Sequence, residues 1–445
     1  MSKRIVVLGG AESGTGAAVL AKLQGFDVFL SDMSNIAPAF INTLNDYGIA
    51  FEQGQHTADL ICNATEIIKS PGIPNKAPII QQIIALQIPI ISEIEFASRY
   101  TNAKMIAITG TNGKTTTTLL TYHLLKNAGL NVGLAGNVGN SFAMQVATKK
   151  FDYYVLELSS FMLDDMFDFK ADIAILTNIT PDHLDRYDYQ MQKYVNSKFR
   201  ITQNQTASDY FIYCKDDEVI QAALASQQID STMIPISIVE DLAYGASISN
   251  QHLNIKLKQN TFTMTIQELA LQGKHNLYNS MASGVAAKLL DIRNETLKES
   301  MSDFKNAPHR LEHVARIQGI EFINDSKATN VNATWFALES INTPIIWIAG
   351  GVDKGNDYSM LTQLVKDRVR AIVCLGTDNS KIHEAFGNVV DIIVNTASAT
   401  EAAEVSYHLG KKGDTVLLSP ACASFDLFKN YEDRGQQFID AVKEL

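Results

Sequence analysis

The sequence has little of what marks a secreted, membrane-spanning or metal-chelating protein. Its four cysteines, spread over 445 residues, form no CxxC pair and have no nearby histidine at metal-ligand spacing, so we expect reduced thiols. No apolar run approaches the roughly 18 residues of a membrane helix. The run Ile5–Leu8 is too short for a signal-peptide core. These absences predict a cytoplasmic protein without membrane insertion.

Positive charge is also scarce. Lys plus Arg number 37 and Asp plus Glu number 48, which gives a formal net charge of −11. Because binding to nucleic acid requires a basic surface, we expect small-molecule substrates and no nucleic-acid partner. Hydrophobic residues make up 46% of the chain and charged residues 19%, as in folded globular proteins.

The apolar runs predict three α/β domains, at residues 1–97, 98–306 and 307–445. The first is predicted to be Rossmann-like, because Arg4–Leu8 leads through glycines into an Ala-rich helix and a second strand, Phe26–Leu30. Further strands are expected there at Leu60–Asn63 and Ile88–Ile91. The third domain is also predicted to be Rossmann-like, with strands at Glu321–Asn324, Ile345–Ala349, Ala371–Leu375, Asp391–Val394 and Thr415–Ser419.

The central domain carries the clearest chemical signal. Thr109–Thr115, read TGTNGKT, follows the strand Met105–Ile108 and opens a helix, which is the setting of a phosphate-binding loop. Lys114 offers a point charge and the Thr115 hydroxyl can bind Mg²⁺. The loop is a variant, since Ile108 stands where the general pattern has glycine. We therefore predict a P-loop ATPase-like domain with a mostly parallel sheet, and alternation over 246–270 predicts a small antiparallel sheet; a glycine-rich turn without ligand is the alternative.

The loop TGTNGKTTT resembles the ATP loop of the Mur ligase family, whose members form amide bonds with ATP in peptidoglycan synthesis, together with folylpolyglutamate synthetases. Further motifs of the family match in order along nearly the whole chain: LELSSF at 156–161, NITPDHLD at 178–185, KFR at 198–200, GKHN at 273–276, HRLE at 309–312, NDSKATN at 324–330 and SPACASFD at 419–426. The last two motifs are most similar to those of members that add D-glutamate to a UDP-sugar carboxylate.

The resemblance implies an ATP site and a metal site. The ATP residues would be Gly110, Thr111, Asn112, Gly113, Lys114, Thr115 and Thr116 of the loop, with Asn276, Asn279, Arg310, Asp325 and Lys327 as a clamp. Two Mg²⁺ ions would bind. Their ligands would be Thr115, Glu157, His183 and Lys198, the last as a carbamate formed with CO₂. The catalytic residues would be Lys114, Asn137, His183 and Lys198.

Some of these residues also have a plain structural explanation. Glu157 could be a helix cap or a solvated acid, and a lone histidine such as His183 is often structural. Lys198 falls on an amphipathic pattern where a lysine is usually exposed, and Asp325–Ser326 could cap a helix.

The resemblance also assigns the substrate contacts. The UDP-substrate would bind Ser13, Gly14, Asp32, Ser70 and Asn137, although the spacing from Gly9 to Asp32 alone leaves a dinucleotide site open. The contacts of D-glutamate would be His183, Thr329, Lys354, Ser424, Phe425 and Tyr431, where Tyr431 could equally be a packing aromatic.

The expected reaction is amide formation through an acyl phosphate, catalysed by a monomer. Two alternatives remain open at this point. The chain could be another ligase of the family with a different acceptor, such as a preformed peptide or folate, or a P-loop switch that uses ATP only to change conformation.

Overall fold

Three β-sheets flanked by helices make up this computed structural model, which describes residues 3–258, 260–353 and 355–445. The chain divides into two compact units, the first holding residues up to Leu271 with Asn276–Phe304, and the second Gln272–His275 with Lys305–Leu445. The α/β fold class is confirmed. The three predicted domain boundaries stay a prediction.

The N-terminal sheet is parallel, with strand order β3-β2-β1-β4-β5. Its strands are β1 (Arg4–Leu8), β2 (Asp27–Asp32), β3 (Ala50–Gln53), β4 (Glu66–Lys69) and β5 (Ile90–Ile91). Its helices are α1 (Glu12–Leu23), α2 (Pro38–Asp46), α3 (Ala58–Ile61), α4 (Pro78–Ala85) and α5 (Glu93–Ser98). The strand order reverses between β1 and β4, which is where open parallel sheets bind ligands.

The predicted strand at Leu60–Asn63 is wrong. Residues 58–61 form the short helix α3, which buries Ile61, and the strand follows at Glu66–Lys69. An apolar run of four residues has no periodicity that separates a strand from one turn of helix. The strand Ala50–Gln53 was not predicted, because it carries polar residues and no fully buried side chain.

The central sheet has nine strands in the order β14-β13-β12-β11-β10-β9-β6-β8-β7. The strands are β6 (Lys104–Thr109), β7 (Val132–Gly136), β8 (Tyr153–Glu157), β9 (Ile173–Leu176), β10 (Tyr210–Cys214), β11 (Thr232–Ser237), β12 (Gly245–Ser249), β13 (His252–Lys256) and β14 (Thr261–Thr265). The helices are α6 (Lys114–Asn127), α7 (Phe142–Thr148), α8 (Ser160–Asp164), α9 (Met191–Phe199), α10 (Glu218–Leu224), α11 (Lys274–Leu289) and α12 (Asn294–Asp303).

The antiparallel strands predicted over 246–270 are present, but they do not form a sheet of their own. β12 pairs parallel with β11 and antiparallel with β13, so the antiparallel strands extend the central sheet at one edge. The alternation in sequence predicts the strands themselves. It does not predict that they join the central sheet, because that connection depends on a short pairing of Ile236–Ser237 with Ala246–Ser247.

The sheet of the second unit has the order β15-β16-β20-β17-β18-β19. Its strands are β15 (Glu312–Ile317), β16 (Ile320–Asn324), β17 (Ile345–Ala349), β18 (Val369–Leu375), β19 (Ile393–Thr396) and β20 (Thr415–Leu418), and its helices are α13 (Val331–Ser340), α14 (Thr362–Arg368), α15 (Ser380–Phe386), α16 (Ala399–Leu409) and α17 (Tyr431–Lys443). Trp347 is fully buried in this sheet and its indole N–H donates to the Ser419 carbonyl at 2.7 Å. The antiparallel edge strand β15 was not predicted.

Helix α5 joins the first two sheets through two buried carboxylates. Glu95 accepts hydrogen bonds from the backbone N–H groups of Phe167 and Phe169, at 3.0 and 2.9 Å. Glu93 accepts from the Ser141 hydroxyl and from the Ala143 N–H at 2.9 Å, while Glu12 accepts from the Ser141 N–H at 3.1 Å. Ser141 therefore ties the start of α7 to both α1 and α5.

All four cysteines are free thiols, as expected. Cys214, Cys374 and Cys422 are buried and Cys62 is partly exposed. Among the described residues, no helix carries an apolar stretch long enough to cross a membrane.

Glu93 generates a prediction about stability and pH. Burial raises its pKa to about 7, although the hydrogen bonds from Ser141 and Ala143 oppose that shift. The unfolded chain loses this proton near pH 4.5, so the native state binds more protons between pH 4.5 and 7. The contribution of Glu93 to the free energy of unfolding is thus complete below pH 4.5 and is lost as the pH rises through 7.

We expect Glu93→Gln to remove this dependence. Urea unfolding at pH 5 and pH 8 should show a pH difference in the wild type that exceeds the variant's by about 2 to 3 kcal/mol. Glu299→Gln, an exposed carboxyl on α12, is the matched control and should behave as wild type. An equal pH difference in Glu93→Gln and wild type would contradict the assignment.

Candidate functional site

The predicted phosphate-binding loop, Thr109–Thr115, runs from the end of β6 to the start of α6 and is called the phosphate-type loop below. Residues that directly follow β9 hold it in place. The Thr111 and Asn112 N–H groups donate to the Asn178 backbone carbonyl and to its Oδ1, both at 2.9 Å. The Thr177 hydroxyl donates to the Asn112 carbonyl at 2.6 Å. Gly110 has φ 148°, and a Cβ there would lie 1.9 Å from Thr177 Oγ1, so only glycine fits. The predicted loop residues are thus fixed in place, at the start of a 14-residue helix.

Two lysines converge on this loop. Lys114 Nζ donates to the carbonyls of Gly110 and Thr111, at 2.9 and 2.7 Å. Lys198 Nζ, from α9, donates to the same Gly110 carbonyl at 2.7 Å. Lys198 is 1% exposed, so the expectation that a lysine on this amphipathic pattern is solvated is wrong. The pattern shows which residues share a helix face, and here the face of Lys198 is turned to the protein interior.

The surroundings of Lys198 favour its uncharged form. Burial lowers its pKa well below the usual range, and the charge of Lys114 lowers it further, while Asp182 and Asp164 act in the opposite direction. The Lys198 Nζ lies 4.4 Å from the centre of the Tyr194 ring. A neutral amine is a nucleophile, which is the state that a reaction with CO₂ requires.

Glu157 ends β8, one strand away from the loop, and is 1% exposed. Its Oε1 accepts from the Asn137 side-chain amide at 2.8 Å, and its Oε2 is buried without a hydrogen-bond partner among the described residues. A buried carboxylate oxygen without a partner is unfavourable unless a cation or a donor arrives. The donor set therefore fits a Mg²⁺ ligand, and neither a helix cap nor a solvated acid describes Glu157.

His183 lies in the loop after β9. Its backbone is left-handed, with φ 52°, and its ring packs edge-on against Phe161 at 5.3 Å. The neighbouring Thr180 carbonyl accepts from the Thr111 hydroxyl at 3.0 Å, which fastens this loop to the phosphate-type loop. Thr115 is buried in the first turn of α6. The loops carrying Lys114, Asn137, Glu157 and His183 thus follow four adjacent strands of the order β9-β6-β8-β7.

Among the described residues, no group of three or more His, Cys, Asp or Glu side chains is arranged to hold a metal by itself. Mg²⁺ commonly uses one or two protein ligands and completes its shell with phosphate and water. The arrangement around Glu157 is of that kind.

The predicted clamp residues fall in both units. In the first, Asn279 accepts from the Thr117 hydroxyl at 3.1 Å and donates to Asn276 Oδ1 at 3.0 Å, so α11 is bonded to the helix of the phosphate-type loop. In the second, Asp325 follows β16 and accepts from the Leu311 N–H and the Ser419 hydroxyl, at 3.2 and 2.9 Å. Burial raises the Asp325 pKa to about 6, with the Arg310 charge opposing.

The alternative that Asp325–Ser326 caps a helix is wrong. Helix α13 begins only at Val331, and the Asn330 side chain is its cap, accepting from the Ala333 N–H. Lys327 Nζ lies 5.4 Å from the centre of the Tyr431 ring. Arg310 has a buried Nε without a partner among the described residues, which leaves a donor for a ligand.

Of the residues assigned to the amino acid, Ser424 and Phe425 follow β20, Tyr431 begins α17, and His183 lies in the first unit. Lys354 lies outside the described residues. Val352 and Ala423 exchange backbone hydrogen bonds of 2.8 and 3.2 Å, which brings the loops after β17 and β20 together. Ser424 is buried beside this bridge, whereas Phe425 is 70% exposed. Thr329 lies in the loop after β16.

No role was predicted from the sequence for the residue that joins these loops. Arg434 on α17 is 1% exposed, and its guanidinium donates to the Ser326 and Cys422 carbonyls at 2.9 and 3.2 Å. It therefore joins the NDSKATN segment to the SPACASFD segment. No periodic pattern marks it, because its partners lie 108 and 12 residues earlier in the chain, outside helix α17.

The residues assigned to the UDP-substrate lie at the carboxyl edge of the N-terminal sheet. Gly9 has φ 103°, and a Cβ there would lie 2.3 Å from Ser70 Oγ, so the loops after β1 and β4 touch. Ser13 and Gly14 are in the first turn of α1, and Asp32 ends β2. Asn137 lies elsewhere, after β7 beside Glu157. Ser31, Glu52 and His56, which were not predicted, form a hydrogen-bonded cluster at the same edge.

Comparison with known proteins gives matches along the whole chain. Residues 3–92 match the N-terminal domain of MurD-like Mur ligases, 108–287 the Mur ligase middle domain, and 309–422 the glutamate ligase domain of Mur ligases. A UDP-N-acetylmuramoylalanine--D-glutamate ligase of Bacteroides fragilis is 55% identical over 444 residues, covering all of both chains. The enzyme of that name from Salinibacter ruber is 40% identical, covering 99% of this chain and 98% of the relative.

Solved structures share the fold at low identity. A UDP-N-acetylmuramate-alanine ligase of Thermotoga maritima matches with TM-score 0.63 and 18% identity, covering all of both chains. MurF of Acinetobacter baumannii matches with TM-score 0.64 and 15% identity, covering 99% of this chain and 93% of that one.

Glu157 generates a prediction on metal binding. In Glu157→Gln the amide oxygen can still accept from Asn137, but an uncharged N–H₂ group replaces the oxygen that lacks a partner. We expect the variant to fold as wild type and to lose about tenfold or more of the Mg²⁺-dependent gain in affinity for a non-hydrolysable ATP analogue, measured by calorimetry with Mg²⁺ and with EDTA. Glu218→Gln, exposed on α10, is the control. An unchanged Mg²⁺ effect in Glu157→Gln would remove Glu157 from the metal site.

Proposed function

This chain belongs to the Mur ligase family, and we propose that it joins D-glutamate to UDP-N-acetylmuramoyl-L-alanine with ATP, forming a peptidoglycan precursor. It is a ligase that acts on small molecules. The observation that carries the choice of substrates is 55% identity over the full length to ligases of that name. The phosphate-type loop with its two lysines supports the use of ATP.

In the proposed reaction, the L-alanyl carboxylate attacks the γ-phosphorus of ATP, and ADP leaves. The D-glutamate amine then attacks the acyl carbon, the amide forms, the amine loses a proton and phosphate leaves. Lys114 and the N–H groups at the start of α6 would hold phosphate oxygens as charge moves between them. Mg²⁺, when bound, would neutralise phosphate charge, with Thr115, Glu157, His183 and carbamylated Lys198 as its protein ligands.

Asn137 would act on the carboxylate that becomes the acyl phosphate. The Asn137 amide is oriented by Glu157, so it is available to position the reacting carboxylate next to the metal ligand. The contacts of the UDP-substrate, of D-glutamate and of the clamp residues Arg310, Asp325 and Lys327 stay predictions. The number of Mg²⁺ ions, the monomeric state and the cytoplasmic location stay predictions as well.

The function is tested by phosphate release. We expect ATP, Mg²⁺ and UDP-N-acetylmuramoyl-L-alanine to release phosphate in the presence of D-glutamate but not of L-glutamate or other amino acids, with a product heavier by one glutamyl residue. Release with a different amino acid or peptide would reassign the acceptor within the family. Release that needs neither the UDP-sugar acid nor an amino acid would favour the nucleotide switch.

The role of Lys114 is tested by Lys114→Ala. We expect the unfolding transition to stay within error of wild type and kcat to fall by about 100-fold or more, because a charge that stabilises the moving phosphoryl group is lost. Lys126→Ala, exposed in the last turn of the same helix, is the control and should keep wild-type kcat. Retained turnover in Lys114→Ala would refute the proposed loop function.

Carbamylation of Lys198 is a separate proposal. The neutral amine attacks CO₂, a C–N bond forms and the nitrogen loses one proton to solvent, so a basic group becomes an anionic oxygen ligand that suits Mg²⁺. We expect enzyme equilibrated with ¹³C-bicarbonate to show a carbamate resonance that disappears in Lys198→Gln. Lys193→Gln, an exposed lysine of the same helix, should keep the resonance. A wild-type spectrum without it would overturn carbamylation.

A further inference from the structure

A histidine is held in one orientation at the carboxyl edge of the N-terminal sheet. The Ser31 hydroxyl, at the end of β2, lies 2.7 Å from Glu52 Oε1 and 2.7 Å from His56 Nδ1. Glu52 is itself fixed, because it accepts from the Thr57 N–H and hydroxyl at 2.8 and 2.5 Å. The loop after β3 is thus closed around the imidazole.

The hydrogen bonds define the tautomer of His56. A serine hydroxyl has one proton, and the Glu52 carboxylate is the stronger acceptor for it. Ser31 Oγ therefore accepts from His56 Nδ1–H, and in the neutral ring Nε2 carries the lone pair. Burial lowers the pKa of His56, with the charges of Glu52 and Asp32 opposing, which favours the neutral ring. His56 is half-buried, and its Nε2 has no hydrogen bond to any described residue.

The neighbouring acid is already engaged. Asp32 Oδ2 accepts from the Gly10 N–H at 2.6 Å, and Oδ1 accepts from the Ser34 N–H at 2.7 Å. Asp32 therefore holds the glycine loop after β1 against the end of β2. At the same edge of the sheet, His56 Nε2 is an acceptor that makes no hydrogen bond to any described residue.

The position of His56 indicates which part of a nucleotide it would meet. In doubly wound sheets the phosphates lie over the glycine turn after the first strand, and the nucleoside lies towards the second strand and its neighbour. His56 follows β3, two strands from β1, and the carboxylates of Glu52 and Asp32 next to it would repel a phosphate. The neutral His56 Nε2 is therefore placed to accept a hydrogen bond from an N–H or O–H group of the nucleoside.

We propose that His56 is a specificity-determining residue for the uridine of the UDP-substrate, with Nε2 accepting a hydrogen bond from uracil N3–H or from a ribose hydroxyl. This inference rests on the proposed function. It names a residue that neither the motifs nor the family match singles out, and it gives Ser31 and Glu52 a positioning role through the imidazole.

Two substitutions separate the binding role from a structural one. In His56→Asn the amide reaches only the Nδ1 position, so the contact with Ser31 is kept and the Nε2 acceptor is lost. In His56→Gln the amide reaches the Nε2 position and can restore the acceptor. We expect His56→Asn to bind UDP about tenfold more weakly than wild type by calorimetry and His56→Gln to remain within about threefold. The unfolding midpoint of both should match that of wild type.

The kinetic readout is selective. KM for UDP-N-acetylmuramoyl-L-alanine should rise in His56→Asn, while kcat and the KM values for ATP and D-glutamate stay unchanged. His383→Asn, at a half-buried histidine of the second unit, is the control for a general histidine effect. Equal UDP affinity in wild type and His56→Asn would overturn the inference, and the proposed function would stand if phosphate release still required the UDP-sugar acid. No UDP binding by wild type would overturn both.

Nucleotide analogues identify the donor. CDP lacks the N3–H of uracil, and 2′-deoxy-UDP and 3′-deoxy-UDP each lack one ribose hydroxyl. The analogue that lacks the donor should bind wild type about tenfold more weakly than UDP, and His56→Asn should no longer distinguish it from UDP. If wild type binds all three analogues as tightly as UDP, His56 accepts from none of these groups and the inference fails.

Discussion

The meeting of two lysine side chains at one backbone carbonyl is the constraint on which the central site depends. Lys114 and Lys198 both donate to Gly110, at 2.9 and 2.7 Å. Two ammonium groups that donate to the same oxygen atom lie close together, and in a buried setting they repel each other strongly. The repulsion is relieved when Lys198 gives up its proton, and the site is then ready to receive anions. The lowered pKa of Lys198 therefore follows from its burial and from its meeting with Lys114 at this carbonyl.

The rest of the central site keeps this arrangement rigid while leaving selected atoms open. Thr177 and Asn178 fix the phosphate-type loop, and Asn137 fixes one oxygen of Glu157. The other oxygen of Glu157 is buried without a partner among the described residues. The supporting groups are thus held by hydrogen bonds while one oxygen of Glu157 stays available, so little reorganisation of these groups is needed when a cation binds there.

The sequence predicts those parts of the molecule whose signal is local. The strand before Thr109–Thr115 and the helix after it were predicted, because glycine, lysine and threonine in that order are typical of a phosphate-binding loop between a strand and a helix. The edge strand β15 was not, because its side chains are half-exposed and its antiparallel partner gives no local pattern. The bond from Lys198 to Gly110, the bond from Asn137 to Glu157 and the two bonds of the Arg434 bridge join residues 12 to 108 positions apart. Periodicity within one element carries no information on such contacts.

A chain with net charge −11 that acts on nucleotides and acidic substrates has to limit the repulsion between its own carboxylates and those ligands. Two buried acids show that burial is one way in which it does so. Burial raises the pKa of Glu93 to about 7 in the first unit and that of Asp325 to about 6 in the second. Each carboxyl accepts hydrogen bonds that hold loops near the predicted site, and near neutral pH each retains a fraction of protonated form. Burial thus raises the pH at which each carboxyl ionises, while the same carboxyl still accepts the hydrogen bonds that hold these loops.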